Sequence, residues 1–231
     1  MGEEKTMKIT TLEVAGFSPA LHGMRNPMNS WDKSDSRNDG VWFTNGLADD
    51  SIACTTLIGE NDMSLAKRLA SAGGEHRKYL RQIQVWADFD MPRYWWSEMD
   101  TYHFNTKNSC STMHKLMETV LTPEALAYCY EDIDILNAVL KRLATIQKIY
   151  QEAKVNGDSE MMNRCLLRGK RLLPDGFLQM RTVNTNYEEI ANIYHQRKHH
   201  RLKEEWVETF CAWAESLPYF RELCIDTRVK V

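Results

Sequence analysis

The longest regular pattern in the sequence is helical and covers residues 123–154. Apolar side chains recur there three or four residues apart, which places them on one face of an α-helix. These side chains are Leu136, Leu140, Leu143, Ile146 and Tyr150. Thr122 stands at the N-cap position, Pro123 at the first helical position, and Asn156-Gly157 where a helix would end. The pattern predicts one long amphipathic helix in the second half of the chain.

Shorter patterns predict the other elements. Alternating apolar residues predict strands at residues 7–16, 51–59, 81–89 and 177–184. Helical spacing and end signals predict helices at residues 62–73, 93–104, 158–172, 187–201 and 203–216. Pro92 is expected at the first position of the helix that follows it. Residues 17–50 are rich in Gly, Asn, Asp, Ser and Pro, so we expect a long irregular segment that is functional or mobile.

These elements predict a helix-rich α+β fold. At 231 residues the chain is long enough for one substantial core, and we expect a single domain over residues 1–231. The composition is that of an ordered globular protein, since 43% of the residues are hydrophobic and seven are Trp.

Charge and cysteine content limit the partners and the compartment. A net charge of −3 gives no overall attraction to nucleic acid or to an anionic membrane. The six cysteines show neither CxxC nor zinc-finger spacing. The first residues, MGEEKTMKITT, lack the apolar core of a signal peptide, and no apolar run approaches the roughly 18 residues of a membrane span. We therefore expect reduced thiols, a cytoplasmic location, and neither a membrane nor a nucleic-acid partner.

The segment TYHFNTKNSCSTMH, residues 101–114, is crowded with reactive and polar groups. One interpretation needs no ligand: the preceding helix buries Trp95 and Trp96 and turns its acidic residues to solvent. The other rests on the run NSCST, which extends a helix poorly and offers hydroxyl and amide groups. Such groups suit a phosphate or a polar heterocycle.

Two basic stretches also have two possible interpretations. They are GKRLLP at residues 169–174 and HQRKHHRLK at residues 195–203. Each is either a solvated face or a site for an anionic ligand. His195 and His199 are four residues apart and could share a metal ion, but no third ligand is evident. Neither a dinucleotide-binding nor a P-loop glycine motif is present in the sequence.

Segment 101–114 resembles the signature of the flavin-dependent thymidylate synthases (the ThyX family), which is an Arg-His-Arg triplet, seven residues and a Ser. Here Thr101-Tyr102-His103 occupies the triplet, FNTKNSC follows, and Ser111 takes the place of the serine. Asn108 and Ser111 also match the family element Asn-Glu-x-Ser-x-Arg-Tyr, whereas its arginines are replaced.

The second half of the chain is similar to the family in spacing. The family has an Arg three residues before Leu-Pro, an Asn twelve residues after that Pro, and a nucleotide-binding Arg eleven residues further on. In this sequence Lys170 precedes Leu173-Pro174, and Asn186 and Arg197 follow at those distances. The stretch NIYHQR, with Asn192 first, resembles the family pattern N-F-L-N-L-R. The resemblance covers roughly residues 60–215.

The resemblance implies an antiparallel sheet flanked by a helical bundle, assembled as a homotetramer with active sites at subunit interfaces. It implies methylation of dUMP or a related pyrimidine nucleotide, with FAD as cofactor and NADPH and methylenetetrahydrofolate as co-substrates. Ser111 and Arg197 would be catalytic residues that contact the nucleotide. The other implied nucleotide contacts are Asn108, Lys170 and Asn186. The implied flavin contacts are Glu98, Thr101, Tyr102, His103 and Asn192.

The altered triplet supports an alternative function. Thr101-Tyr102-His103 cannot supply the charge with which the family triplet holds a flavin diphosphate, and Glu98 and Asp100 add negative charge beside it. The aromatic side chains of Trp95, Trp96 and Tyr102 could stack on a flavin or a base instead, or could belong to the core. The alternative is therefore a ThyX-fold nucleotide-binding protein without FAD or synthase activity. The third possibility is an unrelated interaction protein whose spacing matches are accidental.

Overall fold

The structure is a computed structural model that describes residues 7–38, 41–44, 51–54 and 56–227. Residue contacts divide the chain into two compact units. The bundle unit contains Asp90–Asp100 and Ser109–Arg181 with residues 7–8, and the sheet unit contains the described residues of 9–89, 101–108 and 182–227. The single domain expected over residues 1–231 stays a prediction.

The strands form two antiparallel sheets. They are β1 (Lys8–Ala15), β2 (Val41–Thr44), β3 (Ser51–Cys54), β4 (Gln84–Pro92), β5 (Thr106–Ser109) and β6 (Leu178–Asn186). The larger sheet has four strands in the order β1-β4-β6-β5, and β2 pairs with β3 so that Val41 lies opposite Cys54. In β4 the alternate residues Val85, Ala87 and Phe89 are buried, which is the alternation that predicted this strand.

Helices make up most of the rest. They are α1 (Phe17–Met24), α2 (Glu60–Ser71), α3 (Arg93–Met99), α4 (Thr112–Lys115), α5 (Ile133–Val155), α6 (Ser159–Leu172), α7 (Tyr187–Arg197) and α8 (Ala212–Ser216). Two π-helical segments, Lys203–Cys211 and Arg221–Ile225, and several short 3₁₀ turns complete the described elements. The predicted α+β fold, with helices and an antiparallel sheet, is confirmed.

The core of the bundle unit lies where α5 packs against α6. Its buried members include Leu116, Met117, Leu136, Leu140, Leu143, Ile146 and Cys165. The long periodic pattern of the sequence therefore faces this core. Gly169 of α6 allows a close approach here, since a Cβ atom at this position would lie 2.4 Å from the Met117 Cε.

The predicted start of the long helix was wrong, because α5 begins at Ile133 and not at Pro123. Pro123 does open a turn, but that turn is a 3₁₀ turn of only three residues, Pro123–Ala125. The chain then becomes extended and pairs with a distant segment: Leu126 forms a β-bridge with Phe177, and the Ala127 N–H donates to the Gly176 carbonyl at 2.8 Å. Pairing within the bundle unit overrides the local helical signal.

The prediction that residues 17–50 are irregular was also wrong in part. Residues 17–24 form α1, whose buried residues Phe17, Ala20, Leu21 and Met24 have helical spacing. The segment also contains β2 and two short 3₁₀ turns, while residues 39–40 and 45–50 lie outside the described residues.

The predicted position of Pro92 was wrong. Pro92 ends β4 and is the N-cap residue of α3, where its backbone is extended (ψ 153°), so it does not occupy the first helical position.

Aromatic residues fill the core of the sheet unit. The ring centres of Phe89 and Trp213 are 5.0 Å apart. The rings of Phe17 and Phe220 each contact the Tyr187 ring edge to face. The Tyr187 hydroxyl donates to the Pro218 carbonyl at 2.7 Å. This packing fixes the first turn of α7.

Among the described residues, no helix combines the length and the apolar character needed to cross a membrane.

Candidate functional site

Arg197, the last residue of α7, is held by two aromatic side chains of the sheet unit. Its Nε donates to the Tyr102 hydroxyl oxygen at 2.9 Å. Its Cζ lies 4.5 Å from the ring centre of Trp206, which is buried in the segment Lys203–Cys211. A guanidinium over an indole face gains cation–π stabilisation and keeps a fixed orientation. The fold therefore preorganises the arginine that the sequence predicted to bind the nucleotide.

A chain of side-chain hydrogen bonds runs from Tyr102 along α7. The Tyr102 hydroxyl donates to Gln196 Oε1 at 3.2 Å, and Gln196 Nε2 donates to Asn192 Oδ1 at 2.8 Å. Asn192 in turn hydrogen-bonds the carboxylate of Glu189. We call these four residues, with Arg197, the Arg197 cluster. Three of its members, Tyr102, Asn192 and Arg197, are residues that the sequence predicted for the site.

Glu189 is a member that sequence reasoning missed. It lies in the first turn of α7, where an acidic residue ordinarily complements the helix dipole, so its presence there does not by itself indicate a site. In the structure it is only 6% exposed. Burial raises the pKa of Glu189 and the charge of Glu188 adds to this rise, although Asn192, His103 and Lys107 favour the ionised form. The cluster thus contains a buried acid close to the predicted flavin contacts.

The remaining predicted residues of the sheet unit have other surroundings. The Asn186 side chain caps α7 by accepting from the Glu189 N–H at 3.0 Å, so its amide oxygen has a structural role. Asn108 is exposed in β5, and Thr101 and His103 are exposed on either side of the buried Tyr102. The Arg197 cluster therefore does not include Asn108, and the flavin contact of Thr101 stays a prediction.

The residues at the triplet do not fit a flavin dinucleotide. A diphosphate needs fixed cations, and Thr101-Tyr102-His103 contains no Lys or Arg. Tyr102 is committed to Arg197 and Gln196, and Asn192 is committed to Gln196 and Glu189. The Glu189 carboxyl group has a pKa raised by burial and supplies no positive charge to replace the missing cations.

In the bundle unit, Ser111 lies directly before α4, and the Lys170 side chain contacts the first residue of that helix. Lys170 reaches from α6 and donates from Nζ to the Thr112 hydroxyl at 2.6 Å. The Ser111 hydroxyl accepts from the Met113 N–H at 3.2 Å, which is the geometry of a helix cap. These two predicted nucleotide contacts share one neighbourhood, and both also stabilise local structure.

The aromatic residues of α3 belong mainly to the core. Trp95 and Trp96 are 0% and 1% exposed, so neither is available to stack on a flavin or a base. Trp96 instead lies under a cation that the sequence did not single out: the Arg181 Cζ is 4.2 Å from its ring centre. Arg181 also binds both carboxylate oxygens of Asp100 at 3.2 Å. Glu98 is half-buried on the same helix.

The basic stretch 195–203 contributes Arg197 but no metal site. The His195 Nε2 lies 3.0 Å from the Cys224 carbonyl oxygen, so this ring is used for packing against the C-terminal segment. Within the described ranges, no three His, Cys, Asp or Glu side chains are close enough to hold a metal ion. The signal that could have found the rest of the cluster is the spacing of Glu189, Asn192 and Gln196 along one face of α7.

Comparisons with known proteins identify the fold. No protein-family model matches the sequence, and no curated protein matches it. Thymidylate synthase X (ThyX) from Helicobacter pylori, solved with FAD and dUMP, is 15% identical and has a TM-score of 0.68 over 96% of this chain and 98% of that chain. A second structure of the flavin-dependent ThyX from Helicobacter pylori, complexed with FAD and dUMP, has a TM-score of 0.67 at 15% identity over 96% of this chain and 99% of that chain. This likeness shows that the chain has a ThyX-like fold.

Proposed function

We propose that this protein binds a pyrimidine nucleotide of the dUMP class through the Arg197 cluster and has lost flavin-dependent synthase activity. The observation that carries the proposal is the fixed guanidinium of Arg197, held between the Tyr102 hydroxyl and the Trp206 ring. The fold neighbours that were solved with dUMP support this ligand class. The loss of charge at Thr101-Tyr102-His103 argues against the flavin.

The chemistry of Arg197 suits a nucleotide. A guanidinium donates in a planar fork, which matches two oxygens of a phosphate or a carbonyl edge of a pyrimidine. Because stacking on Trp206 and the hydrogen bond to Tyr102 already restrict its rotamers, binding loses less side-chain entropy. Asn108, Ser111, Lys170 and Asn186 stay predicted nucleotide contacts. Assembly as a homotetramer likewise stays a prediction.

A second candidate function is flavin-dependent methylation of dUMP with methylenetetrahydrofolate and NADPH. The presence of FAD with dUMP in both fold neighbours favours it. It requires the remodelled triplet to accept a flavin diphosphate without arginines, and the Arg197 cluster offers no replacement for that charge. Binding of a nucleotide alone does not require a site for the flavin diphosphate, and we therefore prefer this function.

The test is calorimetric titration of the full chain with dUMP, with dAMP as the purine comparison. We expect saturable binding of dUMP and weaker binding of dAMP. Arg197→Ala should weaken dUMP binding by at least about ten-fold, because it removes a charge-assisted hydrogen bond. Arg201→Ala is the matched control, since Arg201 is exposed four residues further on.

Two outcomes would contradict the proposal. One is the absence of dUMP binding by the folded wild-type protein. The other is equal dUMP affinity of the Arg197→Ala and Arg201→Ala variants, which would remove Arg197 from the site. Thermal unfolding of both variants shows whether a loss of binding reflects a loss of fold.

A further inference from the structure

A polar cavity lies in the sheet unit, in a part of the chain that the sequence predicted to be irregular. Its volume is about 160 Å³, and α1, residues 31–38 and Thr56 line it. None of its lining residues belongs to the Arg197 cluster. The lining side chains that matter here are Ser18, His22, Arg25 and Asn38, and we call this cavity the Arg25 cleft.

Arg25 is a buried cation that uses only part of its donor capacity. Its side chain is 4% exposed. Its Nε donates to Asp62 Oδ1 at 2.6 Å and its Nη1 donates to the Ser30 carbonyl at 3.2 Å. A guanidinium has five N–H groups and stays protonated, so three N–H groups have no acceptor among the described residues. The Arg25 side chain lines the cavity, so these N–H groups remain as donors for a ligand there.

Asp62 does not compete for a ligand in this cleft. Its second carboxylate oxygen, Oδ2, accepts from the hydroxyls of Ser34 at 2.6 Å and Ser36 at 2.5 Å, and from the Ser36 N–H at 3.2 Å. The carboxylate is therefore saturated by protein donors. It fixes the direction of the Arg25 fork and leaves the rest of the guanidinium edge to the cavity.

Three other side chains that line the cleft, Ser18, His22 and Asn38, can also donate. The Thr56 hydroxyl donates to the side-chain oxygen Oδ1 of Asn38 at 3.1 Å, so the side-chain nitrogen Nδ2 of Asn38 remains as a donor. The His22 ring stacks on Trp31 with an interplanar angle of 15°, which fixes its plane beside the cavity. The Ser18 hydroxyl completes the lining on α1. A cavity lined by donors suits a ligand group that is rich in acceptors.

We propose that the Arg25 cleft binds a small oxyanion, the phosphate or carboxylate group of a metabolite. The planar fork of Arg25 matches two oxygens of such a group, and His22 and Asn38 would donate to the others. The volume of about 160 Å³ is below the roughly 300–1,000 Å³ of pockets for drug-sized ligands, so the cleft fits the anionic group alone.

The experiment is calorimetric titration of the full chain with sodium phosphate and, separately, with sodium malonate, at an ionic strength held constant with sodium chloride. We expect saturable binding of at least one of them, and the tighter one identifies a phosphate or a carboxylate ligand. His22→Ala and Asn38→Ala should each weaken binding by about five- to ten-fold. The matched controls are His76→Ala and Asn163→Ala, since both side chains are exposed outside the cleft.

Arg25→Lys is the stricter variant, because a lysine keeps a positive charge beside Asp62 but lacks the planar fork. We expect it to abolish oxyanion binding. If this variant does not fold, the His22 and Asn38 variants decide the question, since both side chains are exposed at the rim.

Three results would overturn the proposal. The first is no saturable binding of either anion, and the second is unchanged affinity in both the His22→Ala and Asn38→Ala variants. The third is loss of anion binding in Arg197→Ala, which would assign the oxyanion to the Arg197 cluster. This last variant also separates the failure of this inference from failure of the proposed nucleotide site.

Discussion

Tyr102 joins the two halves of the Arg197 cluster through one oxygen atom. That oxygen accepts from Arg197 and donates to Gln196, so a single phenol sets the position of the cation and the start of the hydrogen-bond chain along α7. The Tyr102 carbonyl also accepts from Asn105 Nδ2 at 2.9 Å, which fixes the backbone of the same segment. The neutral phenol of Tyr102 orients Arg197, whereas the arginines of the ThyX signature would add positive charge at this segment.

The Tyr102 hydroxyl should therefore matter more for nucleotide binding than for stability. We expect Tyr102→Phe to weaken dUMP binding by about ten-fold, because Arg197 loses the acceptor that orients it. The melting temperature should change little, since the ring that packs beside Arg197 is kept. Calorimetry and thermal unfolding measure the two effects, with Tyr130→Phe as the control at an exposed tyrosine. Unchanged dUMP affinity would show that Arg197 does not depend on this phenol.

At the scale of elements, residues 34–36 and the start of α2 hold each other in place. Gly59 is the N-cap residue of α2 and has no side chain with which to cap it. The Asp35 carboxylate does so instead, accepting from the N–H groups of Asn61 at 2.9 Å and Asp62 at 3.1 Å. A Cβ atom on Gly59 would lie 2.2 Å from the Asp35 Cγ, so this arrangement requires glycine. The Asp62 carboxylate of α2 also accepts from the hydroxyls of Ser34 and Ser36, which flank Asp35.

Asp62 should make this arrangement sensitive to acid. Burial alone would raise the pKa of Asp62, but hydrogen bonds from Ser34, Ser36 and Arg25, with the charge of Arg25, together place it below 3.8, its ordinary value. A carboxyl group with a depressed pKa in the folded state stabilises the fold above its unfolded pKa, and this contribution is lost as the pH falls through the folded pKa.

We expect Asp62→Asn to lower the free energy of unfolding by about 3 kcal/mol at pH 7, because Arg25 stays buried without its counter-charge. The difference between wild type and variant should shrink as the pH falls below 3.8. Urea unfolding followed by circular dichroism measures both effects, and Asp32→Asn is the control at an exposed aspartate. A difference that does not change with pH would show that Asp62 ionisation does not stabilise the fold.

At the scale of the whole molecule, the fold is ThyX-like, whereas the segment compared with the flavin-binding triplet contains no Lys or Arg. The chain matches ThyX structures over 96% of its length at only 15% identity. A core tolerates such divergence when the apolar pattern and volume are kept, but a diphosphate site does not tolerate the loss of its cations. The proposed function follows from this contrast.

Whether this chain binds a flavin can be tested with FAD. After incubation with FAD and desalting, we expect the wild-type protein to lack the visible absorption bands of a flavin. The double variant Thr101→Arg, His103→Arg should retain more FAD, because both side chains are exposed and the substitutions restore positive charge. The double variant Thr101→Gln, His103→Gln is the uncharged control. Flavin bands in the wild-type protein would reverse our preference and favour the synthase.

The sequence by itself determined the elements whose signals are local. Asp158 caps α6 by accepting from the Met161 N–H at 2.9 Å, and Gly157 adopts a φ of +70° at the end of the preceding helix. The alternation in β4 and the apolar face of α5 likewise depend only on residues that are close together in the chain. The spacing of motifs along the sequence also indicated the fold, whereas the nucleotide contact of Arg197 stays a prediction.

Only the tertiary structure decided which side chains meet. Tyr102 and Arg197 are 95 residues apart in the chain, and Leu126 pairs with Phe177, so no local pattern could predict either contact. The burial of Glu189 and of Arg25 is equally non-local, because the surroundings of each come from several elements. Local propensity fixes where helices and strands form, whereas distant packing fixes the charges and donors of a site.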